Sequence, residues 1–455
     1  MRCLDLRTDA RVRRTLSPPK VLSFGFALII VTGTFLLSLP ISSDGRHLPL
    51  LDAFFMATSA TCVTGLTVLD PGTELSLFGQ LVLLVLTQLG GLGFMTMGTL
   101  IALAFNRRIS LRERLILQEA MNYNSMEGLL SLIRRVILYS FVIEMTGALL
   151  LSIRWSMDMS LPRAIYFGIY HSITMFNNAG FDLFGAIHGP FSGLSGYVRD
   201  PFVNVVIMSL IFLGGIGFVV LSDLIEFPSK RKLSLHSKVV LSYSAVLVVG
   251  GAFLIYIMER SNKLTMQPLG EGGSILSSLF QSISSRSGGV STLNVTDMEH
   301  STQFLLIILM FIGAAPGSTG GGIKVTVFAV LIGAMWAMIK GKDDIVLFQR
   351  RLAKDSIIKA VTQTWLALFL VIFVAMVLSV LEDRGFLPLL FETTSAFGTT
   401  GMSLGLTSTL TPISKIIICL VMFLGRVGPL TLAYALAPRS TKDLYRYPEG
   451  RITIG

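Results

Sequence analysis

Long apolar runs alternate with short basic links along this chain, and the runs recur in a fixed order. About 20 apolar residues cross a bilayer as one helix. Residues 21–40 form such a run without a charge. Residues 53–69 follow, bounded by Asp52 and Asp70. They are rich in Thr, Ser and Gly, and too short and polar for an ordinary span. Residues 75–105 are again uncharged. At a helical rise of about 1.5 Å per residue this run exceeds a hydrocarbon core of about 30 Å, so it is expected to tilt or protrude. Span, half-span and span then return at 136–153, 164–181 and 202–222, at 239–258, 272–285 and 301–339, and at 360–381, 389–406 and 416–437. The pattern predicts four parallel repeats, 21–105, 129–226, 236–340 and 356–438, between a leading segment 1–20 and a tail 439–455.

The half-spans share a motif. Thr61-Cys62-Val63-Thr64-Gly65-Leu66-Thr67 is answered by Asn178-Ala179-Gly180-Phe181-Asp182, Ser287-Gly288-Gly289-Val290-Ser291 and Thr399-Thr400-Gly401-Met402-Ser403. Each places glycine before one apolar and one small polar or acidic residue, with a period of roughly 110 residues. An aromatic stands ten positions before the glycine in three copies, Phe55, Tyr170 and Phe391, and Leu279 stands there in the third. A lone Thr-x-Gly would be a turn between spans; four copies, each after an apolar half-span, are a ring. Non-helical backbone survives at membrane depth only inside protein or along a wet cavity. Glycine lets successive carbonyls turn toward one axis, and rings of carbonyl oxygens replace the water shell of potassium. Pore-helix C-termini aimed at the cavity favour a cation. The predicted fold class is therefore an all-α membrane protein, four parallel span–pore-helix–span repeats with pseudo-fourfold symmetry around one central pore. The candidate filter residues are Val63, Thr64, Gly65, Asn178, Ala179, Gly180, Ser287, Gly288, Gly289, Thr399, Thr400 and Gly401. Between Gly288 and Gly289 the motif leaves the choice of filter glycine open.

Composition narrows the class. Charged residues make up 14% of the chain, against about 25% in soluble domains, and mean hydropathy is +0.71. Most of the 37 Lys and Arg residues fall in the leading segment, the three links between repeats and the tail. This bias is a topology signal that places those segments, and both termini, in the cytosol. It accounts for the net charge of +10 without nucleic acid. A basic start before an apolar run also resembles a signal peptide, but the run is long enough to span and no small-residue cleavage site precedes Ile41. Three scattered cysteines and five histidines give no disulfide framework or metal pattern. No nucleophile–base set or carboxylate pair supports an enzyme.

With these motifs the chain resembles the Trk/Ktr/HKT superfamily of potassium transporters over essentially its whole length. The resemblance puts the filter glycine at Gly65, Gly180, Gly289 and Gly401. Glycine in the first copy resembles potassium-selective members, whereas some sodium-carrying relatives have serine there. The lack of two further leading spans looks like the Ktr-type, ion-translocating membrane subunit. The third copy departs mildly, with Gly288-Gly289-Val290 where Ala-Gly-Phe is common.

A second repeat runs through the second spans: Leu89-Gly90-Gly91-Leu92-Gly93, Leu213-Gly214-Gly215-Ile216-Gly217, Ile312-Gly313-Ala314-Ala315-Pro316-Gly317 and Leu424-Gly425-Arg426-Val427-Gly428. No strand precedes these runs, so they are not nucleotide loops. In the first two copies close helix packing and a hinge are equally open. In the third, glycine and proline from 313 to 322 break the helix. A loop is expected below the filter, and the resemblance implies that it gates. The candidate gate residues are Gly313, Pro316, Gly317, Gly320, Gly321, Gly322, Lys324 and Arg426. Arg426 is a mid-span charge, costly and usually functional. It is expected to bond loop carbonyls and repel cations, with a structural ion pair as the bland alternative and Glu144 as a candidate partner.

The expected function is potassium uptake across the cell inner membrane through the filter, with potassium held by carbonyls, sodium a candidate activator and no cofactor in this chain. The resemblance implies a homodimer on a separate cytosolic regulatory ring that binds nucleotide, ATP/ADP or NAD. The alternatives are a cation-coupled secondary transporter or a sodium-permeable relative. Inverted repeats and midplane carboxylates would mark the former.

Overall fold

The computed structural model describes residues 18–45, 47–93, 115, 129–342 and 344–428. The basic leading segment, the end of the first repeat with the basic link after it, and the tail lie outside the described residues.

The first unit contains α1 (Pro18–Leu37), α2 (Leu50–Thr61) and α3 (Leu77–Leu92). The second contains α4 (Leu129–Trp155), α5 (Leu161–Phe176), α6 (Pro201–Gly215) and α7 (Phe218–Lys230). The third has α8 (Leu235–Glu259), α9 (Gly270–Ser287), α10 (His300–Phe311) and α11 (Val325–Ile339). The last has α12 (Lys354–Leu381), α13 (Phe386–Gly398) and α14 (Pro412–Val427). A hairpin of two-residue strands, Val346–Leu347 and Arg350–Arg351, precedes α12. Polar residues fix where the helices start. The Ser76 hydroxyl accepts from Gly79 N, Asp200 accepts from Phe202 N and Val203 N, and Ser234 accepts from Ser237 N, each satisfying donors that a helix start leaves open.

Two classes of helix result. Helices α1, α4, α8 and α12 are long and apolar enough to cross a membrane. They show large apolar side chains outward, such as Leu28, Leu149, Val249 and Phe369, as a lipid-facing helix does. Helices α2, α5, α9 and α13 are shorter and lie inside the protein. There Ser59, Ser172, Gln281 and Glu392 are fully buried, and each short helix packs on the long helix before it. The three ten-before aromatics, Phe55, Tyr170 and Phe391, are fully buried.

The second spans break at their glycine motifs. The uncharged run that starts at residue 75 is not one straight helix: α3 stops at Leu92, and Gly93 follows with φ +81°. Helices α6 and α7 are bent by 106° about Gly217, whose φ is +90°. Helix α14 ends before Gly428, also at φ +90°. In the third unit the break runs from Phe311 to Val325. A positive φ removes the residue from the right-handed helix at no steric cost to glycine. The other glycines of the motif serve packing. A Cβ at Gly90, Gly214 or Gly425 would meet the carbonyl oxygen of Thr61, Phe176 or Phe397 at 2.1, 1.8 and 2.1 Å. Each of those carbonyls belongs to the last turn of a short helix, so one motif supplies both a close approach and a break.

Candidate functional site

The four short helices end just before the four motif glycines. Gly65, Gly180, Gly289 and Gly401 have φ of +87°, +65°, +72° and +94°. Two positions earlier, Val63, Asn178 and Thr399 are also left-handed, at +57°, +60° and +47°. This costs energy in residues with a Cβ and persists only where surroundings impose it. The third segment differs. Ser287, expected in the non-helical segment, is instead the last residue of α9, because Gly288 N still bonds to Ser284 O at 2.7 Å and carries the helix onward. Gly288 has φ −82°, so Gly289 is the one with the conformation of the other three.

These segments meet in cyclic order. A Cβ on Gly65 would lie 2.1 Å from Ala179 O, on Gly180 2.6 Å from Gly288 O, on Gly289 1.9 Å from Thr400 O, and on Gly401 2.2 Å from Thr64 O. Each glycine thus faces the carbonyl that precedes the glycine of the next segment, and the fourth returns to the first. The expected residues Thr64, Ala179, Gly288 and Thr400 are therefore all in the ring. The four glycines also line one cavity of about 460 Å³, together with Thr67, Asp182, Ser291 and Ser403. Hydroxyls of the short helices hold the glycine backbone from behind. Gly65 N donates to Ser59 Oγ and Gly401 N to Ser395 Oγ, both at 3.1 Å.

The broken segment between α10 and α11 lies against the inner side of this ring. The Asn178 side-chain amide meets Thr319 Oγ1 at 2.9 Å, and Gly321 N donates to Thr399 Oγ1 at 2.8 Å. A Cβ on Gly320 would meet Ser287 Cβ at 2.8 Å. The segment is anchored at its sides as well: Ala315 N donates to Gly215 O and Phe218 N to Gly317 O, both at 2.9 Å. Gly317 and Gly322 take positive φ of +65° and +71° next to Pro316 and Gly321. Lys324 Nζ donates to Gly320 O at 2.7 Å, within the segment.

Arg426 reaches the segment from α14. Its guanidinium donates to Thr319 O and, on the other side, to Gly90 O and Gly91 O. Glu144 is engaged elsewhere: Gln88 Nε2 donates to both its oxygens, at 3.0 and 3.1 Å, and Asn177 Nδ2 donates to it at 3.1 Å. Arg286, near the end of α9, is buried and donates to Ser244 Oγ and Gly313 O, each at 3.3 Å. It therefore touches the start of the broken segment.

Two polar groups have no counterpart in the sequence expectations. Thr319, hidden among glycines, is where Asn178, Gly214 and Arg426 converge. Glu392 is fully buried and bonds Ser403 and Thr407. A carboxylate in an otherwise uncharged half-span was its available signal.

Comparison with known proteins shows the family and the fold. A family described as TrkH, cation transport protein, matches residues 21–442. The chain is 40% identical to the Ktr system potassium uptake protein B of Bacillus subtilis, covering 96% of this chain and 97% of that one. It is 36% identical to the potassium/sodium uptake protein NtpJ of Enterococcus hirae, covering 98% and 99%. Its fold is similar to the crystal structure of the potassium transporter TrkH from Vibrio parahaemolyticus, with a TM-score of 0.71 at 17% identity over 95% of this chain and 87% of that one. With a family match across nearly its whole length and relatives that are transporters, not enzymes, this chain belongs to the TrkH family of cation transport proteins.

Proposed function

We propose that this chain takes up potassium across the cell membrane, with the ring of Gly65, Gly180, Gly289 and Gly401 as its selectivity filter. The cyclic packing of each glycine on the next segment's carbonyl carries this reading. A ring so tight fixes its oxygens at a set spacing, which is what exchanging a hydration shell for carbonyls requires. The names of two relatives, a potassium uptake protein and a potassium/sodium uptake protein, supply the ions.

In this reading the four repeats share one pore with pseudo-fourfold symmetry, and both termini lie in the cytosol. The segment from Gly313 to Lys324 is a gate drawn closed. Arg426 supports that assignment because it ties Thr319 O to Gly90 O and Gly91 O across the path, with its positive charge beside the ion route. A homodimer on a separate cytosolic ring that binds nucleotide then biases the loop through different contacts in its two states. Sodium permeation is the second reading, favoured by the potassium/sodium name of one relative.

Uptake of labelled potassium into proteoliposomes, with rubidium and sodium as competitors, tests both. Flux that rubidium suppresses at lower concentration than sodium supports the proposal. Equal competition by sodium favours the second reading, and no potassium flux with or without a regulatory partner overturns both.

A further inference from the structure

Behind the fourth motif sits a buried carboxylate that the ion path does not use. Glu392 lies in the middle of α13 and is fully inaccessible to solvent. An unpaired charge in such a place is expensive unless hydrogen bonds satisfy it. Its donors all come from one short stretch. Ser403 Oγ donates to Oε1, and Thr407 Oγ1 donates to Oε2 at 3.0 Å. Thr407 Oγ1 also reaches Ser403 Oγ at 3.1 Å, and Gly405 N donates to Ser403 Oγ at 2.9 Å, which closes the stretch on itself. Residues Ser403, Gly405 and Thr407 form part of the wall of the cavity above Gly401.

The same place in the second unit is braced by different chemistry. His171 and Glu392 each stand nine positions before their motif glycine. His171 Nε2 accepts from Leu183 N at 3.2 Å, three residues after Gly180, while its Nδ1 lies 2.8 Å from Phe167 O. Ser403 and Thr407, which bond Glu392, likewise follow Gly401, by two and six residues. In the third unit Phe280 stands at that place and Gln281, one position on, reaches forward to Ser291, two residues after Gly289; Met56 leaves the first unit apolar there. The fourth brace is the carboxyl one, and it bonds two side chains of the stretch after its glycine.

We propose that Glu392 is a positioning residue for ion selection: its carboxylate clamps residues 403–407 and thereby holds the outer end of the Gly401 segment in register. The proposal rests on the reading of the glycine ring as a filter. Ser395 holds Gly401 N from the inner side of the same helix, so α13 grips the segment at both ends. An ionised carboxyl offers acceptor sites and no donor, and each oxygen here accepts from one hydroxyl. An amide of the same size keeps one acceptor and turns N–H toward the other hydroxyl, which must then accept instead of donate.

The test uses the full chain in proteoliposomes, with sodium competing against labelled potassium uptake. Glu392→Gln is expected to lower discrimination of potassium over sodium by about tenfold, because charge-assisted bonds are the strong ones. Ser403→Ala and Thr407→Val each remove one donor and are expected to lower it by about two- to threefold. Gly65→Ser is run beside them as a filter control. If Glu392→Gln elutes as the wild type does and keeps wild-type competition curves while Gly65→Ser loses discrimination, the clamp is overturned and the filter stands. If both keep wild-type curves, the filter reading fails with it. Should Glu392→Gln not assemble, unchanged curves for Ser403→Ala and Thr407→Val overturn the clamp.

Discussion

At the residue scale, two adjacent glycines make opposite demands. Gly289 combines φ +72° with a would-be Cβ 1.9 Å from Thr400 O, so neither the backbone angle nor the space admits a side chain. Gly288 has an ordinary φ of −82°, and its would-be Cβ meets no backbone, only the Ile211 side chain, at 2.7–3.1 Å. Gly289→Ala is therefore expected to lose potassium-over-sodium discrimination by about tenfold or more, while Gly288→Ala keeps most of it. Competition curves on the two variants check this, and equal losses would remove the distinction. The motif glycines were legible from sequence because glycine alone tolerates both constraints. The choice between Gly288 and Gly289 was not legible, since it depends on where α9 stops. The helix runs on through Ser287 by a backbone bond, and no side chain signals that. Asn178 and Thr399 were legible as part of the motif, but not their left-handed angles or their bonds to Thr319 and Gly321.

At the element scale, the broken segment is held by bonds that are individually modest. Arg426 donates to Thr319 O, Arg286 to Gly313 O and Lys324 to Gly320 O. Hydrogen bonds from charged groups contribute about 1.5–3 kcal/mol each. Removing one shifts a two-state loop by about tenfold or more. Arg426→Ala, or shortening the stretch from Gly313 to Gly322, is therefore expected to raise partner-independent potassium flux by about tenfold. Flux measured without the regulatory partner checks this. A fall in flux at normal assembly would mean that the segment supports conduction rather than blocking it. The break itself was plain in the sequence, because five glycines and a proline cannot continue a helix. The breaks at Gly93, Gly217 and Gly428 were less so. The Leu-Gly-Gly pattern reads equally as close packing, and the structure uses it for both.

At the scale of the whole molecule, a ring must close between its last and first quarters. Helix α14 packs on α2 at that seam. Lys415 Nζ there meets Asp52 Oδ1 at 2.7 Å, with the two side chains only 13% and 17% exposed. A pair this sheltered is stronger than a surface pair, and removing one partner leaves the other charge poorly compensated. A double-mutant cycle of Asp52→Asn and Lys415→Met, read as thermal stability of the purified protein, is expected to show a coupling of about 1–2 kcal/mol. Additive effects would mean that packing alone closes the seam. Asp52 was visible in sequence as the boundary of the first half-span, but its partner lies 363 positions away and no periodicity joins them. The long apolar helices were visible because the bilayer forces apolar length.

The cyclic contact of the motif glycines has a direction. Gly65 bears on the second segment, Gly180 on the third, Gly289 on the fourth and Gly401 on the first. A disturbance at one glycine is thus handed to the neighbour downstream, never equally to both sides. Two changes in successive quarters act on shared backbone and do not add, whereas changes in opposite quarters touch separate carbonyls and do. In a single chain with four unequal quarters, the place of a glycine substitution and the place where its effect is felt are therefore one quarter-turn apart.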